Sequence, residues 1–298
     1  MDNATNTKTV ATAPKAPQLT RTWQNRRAVK DKLYTLVMMT LTALACIPLF
    51  SIMYMLVSKG IDRLSWETLS ALPPSGFEMG GGVGNAIVGT LTMVGIASAL
   101  SIPLGIMAAV YISEIAPRSK ISKVGKLLAQ IMTGFPSILA GVFAYTAVVI
   151  VMGYYSAIAG GIALAILMVP TVILTTIEAL KGVPQKMKDA AYGLGCTQSQ
   201  VIWKVILPSA WPSIITGVLL AVASAAGESA PLLFTALFSN YYMTDLHEPV
   251  ASLSILIFNF SSLPFPNQME LAWSASLILV LIILVFNILA RLISRKKS

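Results

Sequence analysis

Asp189-Ala190-Ala191-Tyr192-Gly193-Leu194-Gly195, continued to Val205-Ile206-Leu207-Pro208, is a charged, glycine-bent island between two long apolar runs. It is too polar to cross a membrane. Pro184 suits the first position of a helix, and Met187, Ala190, Ala191 and Leu194 follow at helical spacing, so one face is apolar until the glycines break the pattern. Thr197 and Gln200 have the Thr-x-x-Gln spacing of a capping box. A second short helix is therefore expected, with Val201, Ile202, Val205 and Ile206 apolar and Pro208 as its stop. The prediction is a helix, a tight bend and another helix. Ala190 and Ala191 allow close backbone approach, and Gly195 can take a positive φ that other residues reach only with strain. Such an elbow suits docking into a partner's groove.

The flanking runs set the class. Of 298 residues, 56% are hydrophobic and 11% charged, far too apolar for a soluble chain. About 20 residues cross about 30 Å of hydrocarbon, and runs of that scale lie near 33–57, 85–112, 127–152, 157–177, 211–238 and 271–292. The expected fold is all-α: a polytopic membrane protein with six transmembrane helices. The first run exceeds the apolar core of a signal peptide, about 7–15 residues, and is read as an uncleaved span.

A net charge of +9 raises the possibility of nucleic-acid binding, but the placement of the charges decides against it. Basic residues gather in the N-terminal arm 1–32, between the second and third spans (Arg118, Lys120, Lys123, Lys126), around the elbow (Lys181, Lys186, Lys188, Lys204) and in the tail (Arg291, Arg295, Lys296, Lys297). Of the 21 Lys and Arg, only Lys59 and Arg63 fall elsewhere. By the positive-inside rule both termini are expected in the cytoplasm, and the basic bias is topological.

Several features carry no chemistry. Cys46 lies in the first span and Cys196 at the elbow, which makes a bridge between them implausible. Gly80-Gly81-Gly82-Val83-Gly84 lacks the strand and third glycine of a dinucleotide fingerprint and is expected to be a flexible lead into the second span. Gly125-Lys126 lacks the upstream glycine of a phosphate-cradling loop and is followed by Leu127, so ATP hydrolysis is not expected on this chain. His247 alone is not a metal site. Val250 to Phe260 is apolar but too short to cross, and is read as interfacial or re-entrant. The uncharged link at 153–156 predicts a tight hairpin between the third and fourth spans.

The elbow resembles the signature loop of the membrane subunits of ABC-type importers: Glu-Ala-Ala, three residues, Gly, nine residues, then Ile-x-Leu-Pro. This sequence has Asp for Glu at 189 and Val for Ile at 205. The resemblance implies a MetI-like permease core of five helices at 83–292, preceded by the arm 1–32 and a separate first helix at 33–57, and followed by a tail at 293–298. It also implies that 178–210 is a coupling loop whose Asp189, Ala190, Ala191, Gly195, Leu207 and Pro208 meet an ATPase subunit. Tyr111-Ile112-Ser113-Glu114 and Gly134-Phe135-Pro136-Ser137-Ile138 resemble the same family, with Pro136 bending the third helix.

Glu228 is the one acidic residue in mid-span. A charge at the bilayer centre costs roughly 3 kcal/mol or more on insertion scales, so its side chain is expected to face a cavity or partner rather than lipid. The surrounding Gly227-Glu228-Ser229-Ala230-Pro231-Leu232-Leu233-Phe234 resembles Gly-Glu-Thr-Ala-Pro-Leu-Leu-Phe of the phosphate-specific, PstA-type branch of these importers. That branch commonly has arginine four residues before the glutamate, where this chain has Ser224.

The resemblance implies a permease for inorganic phosphate in a bacterial inner membrane, with Glu228, Ser224 and Ser229 along the substrate path. It further implies a second permease subunit of PstC type, two ATPase subunits that carry ATP and Mg, and an extracytoplasmic phosphate-binding protein. No cofactor or metal is then expected on this chain. The rivals are a permease for another oxyanion such as sulfate or molybdate, a secondary transporter with Glu228 as proton carrier, and a non-transporting scaffold.

Overall fold

The computed structural model describes residues 26–295, all helix and loop with no strand among them. The arm at 1–25 and the tail residues Lys296 and Lys297 lie outside the described residues. The long elements are α1 (Arg26–Ile61), α3 (Gly84–Ile115), α6 (Ala157–Lys181), α8 (Gln198–Gly227) and α11 (Pro266–Arg295). Between them lie α2 (Trp66–Ser70), α4 (Lys120–Thr133), α5 (Ser137–Met152), α7 (Gln185–Gly193), α9 (Ala230–Thr235) and α10 (Leu253–Ser261). Among the described residues five helices are long and apolar enough to cross a membrane, and α4 with α5 makes a sixth if the bent pair is one span.

The chain forms two units. The described part of the first is the stretch of α1 up to Met53, which includes residues 26–32 of the expected arm as helix continuous with the first span. The second runs from Tyr54 and contains everything else. Within it, the last turns of α1 lie against α11: Ser274 donates to the Gly60 carbonyl at 3.0 Å, and a Cβ at Gly60 would come within 2.8 Å of Leu277.

Apolar side chains gain little by leaving lipid, so membrane helices are held by close packing at small residues. A Cβ on Gly105 of α3 would meet Val172 of α6 at 2.6 Å, and one on Gly217 of α8 would meet Thr175 of α6 at 2.5 Å. Thus α6 is the central rod, with α3 along one side and α8 along another. Met93, Leu164, Met168, Val172 and Leu232 form a mid-bundle core, while Val83, Leu253, Leu256, Phe260 and Leu271 form a second where α10 and α11 meet the start of α3.

The third helix bends at Pro136, as the sequence predicts: Gly134-Phe135-Pro136 turns the chain by 109° between α4 and α5, because Pro136 cannot continue a helix and disfavours helical geometry in Phe135. Two expectations change. The fifth span does not reach 238 unbroken, since α8 stops at Gly227 and α9 restarts at Ala230. Gly80 to Gly84 is a close-packed turn rather than a flexible lead. Gly80 and Gly81 have φ of +85° and +75°, Val83 is fully buried, and a Cβ on Gly84 would collide with the Tyr242 hydroxyl. Arg63 anchors this turn by bonding Asn267 of α11 and donating to the Gly80 carbonyl at 3.1 Å. The segment read as interfacial or re-entrant is α10, nine residues long, with Leu253, Ile255 and Leu256 fully buried.

Candidate functional site

The elbow forms as a helix, a bend and a helix. Pro184 is the residue before α7, and Gln185 on the first turn donates to the Asp189 carboxylate at 2.9 Å. At the other end the Gly195 N–H bonds the Tyr192 carbonyl at 2.9 Å and the Cys196 N–H bonds the Ala191 carbonyl at 3.2 Å. These two bonds are those of a Schellman cap, which needs a left-handed residue between them, and Gly195 supplies it with φ of +82°. Thr197 then opens α8 with the expected capping box: its N–H donates to Gln200 Oε1 at 2.9 Å, and its hydroxyl receives the Gln200 N–H at 3.4 Å.

Pro208 does not stop the second helix. Ile202–Ile206 form a π-turn in which the Leu207 N–H bonds back to the Ile202 carbonyl, and the chain continues through Pro208 into the membrane. The wider turn shifts the hydrogen-bond register just before proline, so the missing proline N–H falls at a fresh helical start, where it is tolerated. The second limb of the elbow and the fifth span are one helix.

One face of the elbow is bound to the bundle. Ala191, Val201, Ile202, Ile206 and Leu207 are buried with Val110, Leu180 and Ile214 at one end of the bundle. Asp189, Ala190 and Pro208 face outward, and beside them Leu194 is 85% exposed. Of the six residues expected at the coupling surface, Leu207 and Ala191 therefore anchor the elbow, Gly195 shapes it, and Asp189, Ala190 and Pro208 are presented.

A residue singled out only by its surrounding sequence proves central to the elbow's attachment. Glu114 sits in a π-turn, Tyr111–Ile115, at the end of α3. Both its carboxylate oxygens lie 2.9 Å from Lys188 Nζ on α7, and the two side chains are only 10% and 13% exposed. Its backbone carbonyl accepts from Gln198 Nε2 on α8 at 2.9 Å. One residue of α3 thus holds both limbs of the elbow. The available signal was a single acid at the end of a span whose following loop is otherwise basic.

At the other candidate site, Glu228 and Ser229 are the two non-helical residues between α8 and α9, both half-buried. Breaking a membrane helix frees backbone polar groups that must find partners. Ser254 of α10 donates to the Glu228 carbonyl at 3.0 Å, and Thr90 of α3 accepts the Leu253 N–H at 2.8 Å while donating to Ala86 at 2.8 Å. Among the described residues the Glu228 carboxyl group has no hydrogen-bond or ion-pair partner. Ser224, one turn earlier on α8, is exposed.

Residues 101–298 match the family of binding-protein-dependent transport system inner membrane components, and the chain belongs to that family. Among curated relatives, the phosphate transport system permease protein PstA of Yersinia pestis is 40% identical over 91% of this chain and 92% of its own length. The probable phosphate transport system permease protein PstA of Methanocaldococcus jannaschii is 41% identical over 87% and 91%. The fold is also that of solved ABC transporter chains. One, from a bacterial alginate ABC transporter in complex with a pentasaccharide-bound periplasmic protein, gives a TM-score of 0.63 at 15% identity over 91% of this chain and 96% of that one. Another, from the methionine ABC transporter MetNI in an inward-facing conformation, gives 0.59 at 16% identity over 72% and 94%. The protein is a multi-pass inner-membrane permease with a MetI-like core and no ATPase site of its own.

Proposed function

We propose that this chain is a permease subunit of an ATP-driven importer of inorganic phosphate. Supporting the transport mechanism is the elbow: two capped helices fixed to the bundle by one face, with Asp189, Ala190 and Leu194 presented on the other. Supporting the substrate are the PstA relatives, which match over most of the chain and of their own length.

Two ATPase subunits carry ATP and Mg, and one of them receives the elbow. Their closure displaces α7, and α8 carries the movement into the membrane as far as the break at Glu228. A second permease subunit completes the path on the exposed Ser224 side, and an extracytoplasmic binding protein delivers phosphate. With the basic loops inside, both termini are cytoplasmic.

Uptake of radiolabelled phosphate by the reconstituted complex tests the reading. It should require ATP and the ATPase subunits, resist uncouplers and yield to arsenate more than to sulfate. Sulfate uptake at the phosphate rate would reassign the substrate, and collapse of uptake by uncouplers would replace the mechanism with ion coupling.

A further inference from the structure

The elbow is continuous in sequence with α6 and α8, so any push on it reaches those two helices through the chain itself. Nothing covalent joins it to α3. Among the described residues the polar connection to that helix centres on Glu114, which binds Lys188 on the first limb through its carboxylate and Gln198 on the second through its carbonyl, with the adjacent Ile115 carbonyl 3.5 Å from the same Gln198 Nε2. Exposed ion pairs contribute little because water and salt compete for both ends. This pair is nearly sealed, and removing one partner leaves a buried charge uncompensated. The attachment is therefore stiff where a surface pair would be loose.

At its far end α3 carries Thr90, about 36 Å away at 1.5 Å per residue. The Thr90 hydroxyl holds the first N–H of α10, and the next residue of α10, Ser254, holds the carbonyl of Glu228. One helix thus runs from the elbow to the break in the fifth span, clamped at both ends by side-chain hydrogen bonds. Along its length it is locked to α6 at small residues, with a Cβ on Gly161 meeting Ile96 at 2.6 Å as Gly105 meets Val172.

We propose that Glu114 is a positioning residue for transport, making α3 a second strut that carries elbow movement to the Glu228 break through Thr90 and α10. The proposal rests on the importer reading and adds a route that bypasses the continuous α8. In it, α8 sets the position of the Glu228 backbone from one side while α3 and α10 set it from the other. The break then opens only when both move together.

The test is the ratio of ATP hydrolysed to phosphate imported by the reconstituted complex. Glu114→Gln and Lys188→Met should each assemble with the ATPase subunits yet raise that ratio roughly fivefold or more, the lower end of ordinary coupling between sites. The exchanged pair Glu114→Lys with Lys188→Glu should return it toward the wild-type value. Thr90→Val, at the other end of the strut, should raise it as well. A wild-type ratio in both single variants, loss of assembly in both, or no recovery in the exchanged pair would each overturn the proposal. Failure of the wild-type complex to import phosphate would instead sink the importer reading.

Discussion

The hydroxyl of Ser254 donates to the backbone carbonyl of Glu228 at 3.0 Å across 26 positions of sequence, joining α10 to the break in the fifth span. A carbonyl released by a helix break and left without a donor costs about 1–3 kcal/mol. Ser254→Ala should therefore lower the thermal midpoint of the purified complex, whereas Ser254→Thr, which keeps the hydroxyl, should largely restore it. Equal midpoints for Ser254→Ala and the wild type would mean that the contact contributes nothing.

Glu228→Gln keeps the shape of the side chain and removes its capacity for charge. A free carboxylate on the path would repel an anion in a medium of low dielectric, so a pairing group is needed to offset it. With Ser224 on the preceding turn and no cation bonded to Glu228 among the described residues, the pairing group is expected from the second permease subunit. Uptake by Glu228→Gln should fall roughly tenfold or more, since a hydrogen bond to a charged group is worth about 1.5–3 kcal/mol. Assembly should persist. Normal uptake would make Glu228 a packing residue.

Gly195→Val tests the bend. A Cβ there meets no neighbour within 4 Å in this chain, so the strain is in the backbone, whose φ of +82° costs a branched residue about 1–2 kcal/mol. The variant should insert normally, co-purify less ATPase and import less phosphate. Gly193→Val, at the helix end where a Cβ also meets open space, is the control for bulk alone. Equal loss in both variants would attribute the effect to steric hindrance of docking rather than to the bend.

Orientation is open to impermeant thiol reagents. Cysteines at Ser58 and Tyr241, both exposed, should react from outside intact cells, and one at Ser199 on the elbow should react only after permeabilisation. Outside labelling of Ser199→Cys would invert the topology and remove the elbow from any cytoplasmic ATPase.

What the sequence conveyed depended on the range of each signal. Gly195 and the pair Thr197 and Gln200 act over a few residues of backbone, so the bend and its cap could be read directly. The break after Gly227 was less visible because the apolar run continues through it, although Pro231 four residues on marked a place where a helix restarts easily. The continuation past Pro208 could not be found from a 3.6-residue period, because the π-turn departs from that period. Glu114 and Lys188 are 74 positions apart, and no local pattern joins residues that meet only when α3 and α7 dock.

The π-turn at Ile202–Ile206 also bears on which changes in chain length the elbow can survive. Buried Ile202, Ile206, Ala210 and Ile214 recur every fourth residue, a row that would drift about 40° per step around an ordinary α-helix. The wide turn absorbs one surplus residue and so removes part of that drift. Deleting exposed Lys204 should convert the turn to ordinary helix and leave everything beyond it facing as before. Deleting exposed Leu220 should instead swing Glu228 about 100° around the axis.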